Sequence, residues 1–316
     1  MLNHNSIDGF TSQPIIQQDL KRCRLRSVPS CTSTLFLFLS MIYFAFFGYF
    51  GLYNANLTTY EVRYDDVCGN NMTCFVNFTI DHNFTGSKIG LYYKITNFTQ
   101  NRVEIADSYS IDMLIGNYAN DITSCNFRKY LNDKKNIKNL YVPCGLLPQY
   151  VFNDTFYIIE LNKFNDNAIT LNTDRTTMFK MPHSYYNSSM HWLNDNNLFE
   201  GEQTNQHFIV WMRKNAFTPF RKLYGVSDIL PIGNYTMYIQ NNYNVSLFSG
   251  KKYFIITDIG NFGARRSGAA WVFVAMGAVF ALVSGLLGLL AWNRMRPNSM
   301  YHPKKLQEFI VNKGKI

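Results

Sequence analysis

"LFLFLSMIYFAFFGYFGLY", residues 35–53, decides what kind of protein this is. No charged residue interrupts it, and the charge-free window around it extends from Ser27 to Tyr60. A helix rises about 1.5 Å per residue, so roughly 20 such residues cross the hydrocarbon layer of a bilayer. Each central Leu, Phe, Val or Ile favours insertion by about 0.3–0.6 kcal/mol. The run is too long for the apolar core of a cleaved signal peptide, and a polar stretch precedes it; a retained anchor is the reading.

A second segment answers the first. Residues 269–292 read "AAWVFVAMGAVFALVSGLLGLLAW", inside a charge-free window from Ser267 to Asn293. Tyr53, Trp271 and Trp292 lie near segment ends, where amphipathic rings settle at the membrane interface. Neither segment carries an ionisable group other than tyrosine, so these two spans alone offer no ion or proton path. Gly277, Ala281 and Gly285 recur every four residues on the second, a stripe of small residues that lets another helix approach closely.

The formal net charge of +9 belongs mostly to the tails. Lys21, Arg22, Arg24 and Arg26 lie just ahead of the first segment, and Arg294 and Arg296 directly follow the second. Basic residues next to membrane helices stay on the cytosolic side. Arg265 and Arg266 argue the other way, but charges on a long translocated loop count for little. The expected organisation is therefore a cytosolic tail over 1–33, a membrane helix over 34–53, a lumenal or extracellular domain over 54–266, a second helix over 267–293 and a cytosolic tail over 294–316.

The loop agrees with that placement. All nine Asn-x-Ser/Thr glycan acceptors fall in it: Asn56, Asn71, Asn77, Asn83, Asn97, Asn153, Asn187, Asn234 and Asn244. So does an even set of cysteines, Cys68, Cys74, Cys125 and Cys144. Four cysteines in an oxidising compartment allow three pairings; proximity in sequence favours Cys68 with Cys74 and Cys125 with Cys144. No Cys-x-x-Cys pair is present, which argues against zinc. Cys23 and Cys31, ahead of the first helix, are candidates for acylation. A nucleic-acid partner has no access to this compartment.

Within the loop, "KIGLYYKITNF" from Lys88, "TFYIIEL" from Thr155, "HFIVWM" from His207, "YTMYIQ" from Tyr235 and "KYFIITDI" from Lys252 are short β-rich runs between polar breaks. They predict an antiparallel, sandwich-like β domain. Phe208–Met212 is expected as a buried strand, followed by a turn around Pro219 flanked by solvated or locally paired Arg213, Lys214, Arg221 and Lys222. A short helix is expected between Asn126 and Asn139, and residues 161–205, rich in Asn and Asp, as a long surface excursion. No Gly-x-Ser-x-Gly elbow, His-Glu-x-x-His pair or phosphate-binding glycine loop occurs, and His82, His183, His191 and His207 are scattered. The expectation is a chain with no catalytic group, cofactor or metal of its own.

Four segments then carry a resemblance: "YYKITNFTQNR" at 92–102, "PCGLLPQYVFNDTF" at 143–156, "FIVWMRKNAFTPFRKLYG" at 208–225 and "GNYTMYIQNNYNVSLFSGKK" at 233–252. With them the chain resembles, over nearly its whole length, the cell division control protein 50 family, also called ligand-effect modulators. These are non-catalytic β-subunits of type IV P-type ATPases, the phospholipid flippases. The resemblance implies a disulfide through Cys144, a glycan on Asn153 and a β-sandwich over the extracytoplasmic loops of the ATPase. It implies an accessory role in folding, export from the endoplasmic reticulum and transport of aminophospholipids or phosphatidylcholine, in endoplasmic reticulum, Golgi, endosomes and plasma membrane. Trp211, Arg213, Pro219, Arg221 and Lys222, with the Gly277–Ala281–Gly285 stripe, are the candidate partner contacts. Departures from the family pattern are Thr218-Pro219 in place of Pro-Thr, "NFGARR" before the second helix, and only Gln17, Gln18 and Leu20 left of an N-terminal Gln-Gln-Arg-Leu element. The alternative, from a different class, is a surface receptor or adhesin that binds a ligand through the glycosylated loop.

Overall fold

The protein is seen in a computed structural model that describes residues 29–295, apart from 85–87, 118–121, 132–134, 136–138, 162–163, 168, 182–190, 193–198, 200, 229 and 266. It divides into two compact units, one holding the two flanking helical segments and the other spanning Leu52–Arg266. Cys23, His183, Asn187, Arg266 and the tail motifs lie outside the described residues.

The flanking unit is an antiparallel pair of helices, α1 (Pro29–Ala55) and α7 (Ser267–Met295), both long and apolar enough to cross a membrane. Their seam repeats every seven residues. On α7 the buried positions are Ala270, Gly277, Ser284 and Ala291, the spacing that winds two helices around each other with a left-handed twist. Ser33 and Ser284 exchange bonds, each hydroxyl donating to the other's carbonyl at 2.9 and 2.7 Å, and Ser40 Oγ donates to Gly277 O at 2.9 Å. A Cβ on Gly277 would press on the Phe44 ring at 3.3 Å. Phe36, Tyr43 and Phe50 pack on Phe273 and Phe280 along the same line. The four-residue stripe expected to receive a foreign helix is thus divided. Gly277 is taken by the protein's own first helix, Ala281 is half-buried, and Gly285 is exposed with nothing near its α-carbon. On α1 the close approach is made at Ser33 and Ser40.

The larger unit is a β-sandwich. One sheet orders β1 (Thr59–Arg63), β9 (Lys252–Gly260), β3 (Lys88–Ile95) and β7 (Phe220–Ser227), with β10 (Gly263–Ala264) paired to β9. The other orders β2 (Thr73–Ile80), β8 (Gly233–Gln240) and β5 (Thr155–Ile158). All these pairings are antiparallel. In β2, Cys74, Val76, Phe78 and Ile80 are buried and the residues between them exposed, the alternation of a strand with one face on the core. One-turn helices α2 (Asp65–Cys68), α3 (Val103–Ala106), α4 (Ile111–Leu114) and α5 (Leu146–Gln149) punctuate the connections. A short parallel pair, β4 (Tyr141–Val142) and β6 (His191–Trp192), lies apart from both sheets. Disulfides join Cys68 to Cys74 and Cys125 to Cys144.

Three expectations are corrected. Phe208–Met212 is not a strand but most of a helix, α6 (Gln206–Met212), capped where Asn205 Oδ1 accepts from His207 N at 2.8 Å. All five residues are buried, so the run is apolar all round; such a run does not by itself distinguish a strand from a buried helix. The described residues of 126–139 form no α-helix. The 161–205 excursion is pinned inward: Phe164 covers Gly225, Phe179 meets Phe208 edge-on at 6.2 Å, and Gln203 is fully buried.

In a background where Cys23 and Cys31 are serine, Ser33→Cys with Ser284→Cys crosslinks under mild oxidation in isolated membranes, because the two hydroxyl oxygens lie 3.3 Å apart. Adding Gly277→Leu, which wedges Phe44 outward, cuts the crosslinked fraction several-fold on a non-reducing gel.

Candidate functional site

The four segments picked out in the sequence meet in space, and what joins them is buried polar contact around two lysines. The first is Lys252, opening β9. It is 2% exposed, and its ion-pair partner Asp154, just ahead of β5, is fully buried. Lys252 Nζ donates to Asp154 Oδ2 at 2.6 Å, to Asn241 Oδ1 at 2.5 Å and to Tyr243 O at 2.7 Å. All three ammonium protons are therefore used. Asp154 also accepts from the Tyr64 hydroxyl at 2.6 Å and from Tyr243 N at 2.6 Å. Burial pulls the Lys252 ammonium below the ordinary lysine range, opposed by the adjacent carboxylate. Burial, reinforced by the Asp154 charge, holds the Tyr64 hydroxyl well above its usual range, so it stays a donor. The aspartate of "FNDT" thus has a structural role independent of any sugar on Asn153.

The second is Lys222, on β7. Expected as solvated or locally paired, it is 4% exposed and has no carboxylate partner among the described residues. Its ammonium donates instead to Val210 O at 3.0 Å, Trp211 O at 2.9 Å and Arg213 O at 2.5 Å, the free carbonyls at the end of α6. A cation placed there satisfies acceptors that a helix terminus leaves unpaired and meets the negative end of its dipole. Desolvation, with Arg213 nearby, depresses its pKa to about 7.

Around this cap the other segments close. Trp211, fully buried, donates its indole N–H to Leu147 O at 2.8 Å. Gln100, also fully buried, donates to Trp211 O at 3.2 Å and accepts from Asn215 N at 3.1 Å, tethering both sides of the turn that follows α6. Gly145, next to Cys144, has φ +112°, and a Cβ there would sit 2.1 Å from Ser108 O; no other residue fits.

Of the expected partner contacts, Trp211 and Lys222 are therefore interior and act only through the turn they support. Arg213 and Pro219 are exposed and Arg221 half-buried. Arg213 Nε donates to Asp174 Oδ2 at 2.8 Å, while Arg221 stacks over Tyr92 at 5.5 Å and donates to Arg265 O. Sequence reasoning passed over Phe217, 83% exposed at the tip of the turn. Its signal was a lone aromatic between Ala216 and Thr218, ahead of Pro219.

Comparison with known proteins gives one consistent result. The family model described as "LEM3 (ligand-effect modulator 3) family / CDC50 family" matches residues 22–297. Mouse "Cell cycle control protein 50C" is 29% identical over 264 residues, covering 73% of each chain. "Phospholipid-transporting ATPase accessory subunit CDC50" of Chaetomium thermophilum is 24% identical over 79% of this chain and 67% of its own. "Phospholipid-transporting ATPase accessory subunit CRF1" of Saccharomyces cerevisiae is 30% identical over 70% of this chain and 58% of its own.

Asp154→Asn keeps the Asn153 acceptor triplet but leaves Lys252 buried without a counter-charge, at a cost of about 3–5 kcal/mol. Thermal unfolding of the full chain in detergent should register that loss with glycosylation at Asn153 intact. The Lys222 effect has the opposite dependence on acidity from a buried carboxylate. Its folded pKa of about 7 lies below the ordinary lysine value of 10.5, so between those limits the unfolded chain binds more protons. Stability then rises with pH, by up to about 1.4 kcal/mol per unit. Lys222→Met removes this rise, read as a smaller gain in Tm between pH 7 and 9.

Proposed function

The chain belongs to the CDC50 (ligand-effect modulator 3) family, and from that membership we propose that it is the accessory subunit of a phospholipid-transporting P-type ATPase, without catalytic chemistry of its own. The family match across residues 22–297 carries this reading. Relatives named as accessory subunits of phospholipid-transporting ATPases supply the partner.

The two terminal helices fit a two-pass membrane protein. Basic residues beside the helices support a cytosolic position for both tails, and the two disulfides support the opposite side for Leu52–Arg266. ATP hydrolysis and lipid movement belong to the partner. This chain gives it a rigid extracytoplasmic domain and a helix pair, and its assembly with the ATPase accompanies export from the endoplasmic reticulum to Golgi, endosomes or plasma membrane. The turn from Arg213 to Pro219 reaches solvent over most of its length, and Phe217 at its tip is a large apolar side chain with little cover. It is the contact point favoured here. Arg213 and Arg221 flank it and Lys222 fixes its base from below.

Purification of the full chain in mild detergent tests this. A polytopic P-type ATPase should come down in near-equal amount, and Phe217→Asp should reduce its recovery several-fold while the monomer's Tm stays unchanged. A chain that purifies alone, or only with itself, fits a receptor and refutes the assignment.

A further inference from the structure

On the outer face of the β2–β8–β5 sheet, two Asn-x-Thr triplets lie against each other head to tail. Asn77 stands opposite Thr236, and Thr79 opposite Asn234. Thr236 Oγ1 donates to Asn77 Oδ1 at 3.1 Å, and Thr79 Oγ1 donates to Asn234 Oδ1 at 2.7 Å. The hydroxyl of each triplet thus holds the amide of the other. Both asparagines are exposed, and each is held through its carbonyl oxygen while its Nδ2 has no partner among the described residues.

A row of three aromatic rings crosses the same face. Phe75, Tyr238 and Tyr157 are in register across the three strands, with Phe75 and Tyr238 5.3 Å apart. Phe75 is 60% and Tyr157 45% exposed. Phe75, Asn77 and Thr79 share the outward side of β2, so the Phe75 ring is one side-chain repeat, about 6.7 Å, from Asn77. Solvent-facing strand positions are ordinarily polar, and this row is not.

We propose that this face carries paired N-linked glycans on Asn77 and Asn234, and that the innermost sugar on Asn77 lies over Phe75 and Tyr238. The inference rests on the extracytoplasmic placement of Leu52–Arg266. Transfer uses a polyprenyl-pyrophosphate-linked oligosaccharide. The carboxamide Nδ2 forms a bond to sugar C1, the C1–O bond breaks with its electron pair leaving on pyrophosphate, and the amide gives up one proton to a base of the transferase. The aromatic row then receives the C–H face of the sugar, which the electron-rich ring face attracts.

Timing follows from the geometry. In the folded sheet both threonine hydroxyls are engaged by the opposing triplet, inside a hydrogen-bonded ladder. Asn77 and Thr236 are 159 residues apart in sequence, so β2 has no β8 to pair with until most of the domain has been made. Both transfers therefore precede pairing of the two strands. Once in place, two sugar chains on adjacent strands exclude a protein from this face.

The test uses the full chain expressed in eukaryotic cells, compared with Asn77→Gln and Asn234→Gln. Each variant should lose one endoglycosidase-sensitive step on a gel, and the double variant two. Phe75→Ala should lower Tm by about 2–4 °C in the glycosylated wild-type background and by less than half of that in the Asn77→Gln background. Unchanged mobility of either single variant, with other acceptors still shifting, overturns the proposal alone. An equal Tm loss in both backgrounds also overturns it, assigning the aromatic row to packing or to a protein neighbour. If endoglycosidase shifts nothing in the wild type, the extracytoplasmic placement falls, and the proposal with it.

Discussion

The bond between Lys252 and Asp154 is the point at which the two sheets of the domain become one structure. Lys252 belongs to the five-stranded sheet; Asp154 leads into β5 of the three-stranded one, and Asn241 and Tyr243 follow β8 of the same sheet. An ion pair withdrawn this far from water recovers its desolvation cost only when every proton and lone pair around it is used. Here three acceptors surround the ammonium, and the carboxylate takes bonds from Tyr64, Tyr243 and Lys252. Interdigitated apolar side chains resist sliding through packing, and a fully bonded ion pair adds a directional constraint to that. A pair that works in only one register does not slide.

Lys222 solves a related problem by other means. The helix α6 ends inside the domain, where its last carbonyls have no water to accept from. A lysine reaching across from β7 takes three of them at once and, by doing so, ties the start of β7 to the end of α6. Arginine's planar fork would not converge on three carbonyls in this way, whereas an ammonium with three rotatable donors does. The loop between α6 and β7 is thereby fixed at both ends and, through Gln100, in its middle. Its exposed tip is held stiffly although it is a loop, which lowers the entropy cost of presenting Phe217 to a partner.

What could be read from the sequence follows a physical line. Strands with one dry face, such as β8 and β5, show alternation and β-branched or aromatic content, and those in β3 and β9 stood out by composition alone. The antiparallel sandwich and the two apolar rods were therefore legible. The fate of "FIVWM" was not, because a run buried on every side erases the period that separates helix from strand. Lys222 and Lys252 look like surface charges in sequence; only the acceptors brought to them by distant segments make them interior. The seam of the helix pair was not legible for a subtler reason. Gly277, Ala281 and Gly285 suggest a four-residue repeat, but the partner helix is set by Ala270, Gly277, Ser284 and Ala291, where the repeat is seven. Both patterns share Gly277, and only the position of Ser33 and Ser40 opposite chooses between them.

The same distribution of polarity bears on why such a domain suits an accessory role. Its two buried lysines, Asp154 and Tyr64 are spent on one another or on neighbouring side-chain and backbone acceptors. A reactive site needs a group held in readiness, with its proton or lone pair unspent and open to a substrate. In the four-segment framework Lys222, Lys252 and Asp154 are consumed in fixing shape. What the framework presents to the outside includes a stiff turn with an apolar tip and a patterned sheet face. A body of that kind suits the accessory role proposed above, in which it would favour those arrangements of its partner that fit against it and disfavour the rest.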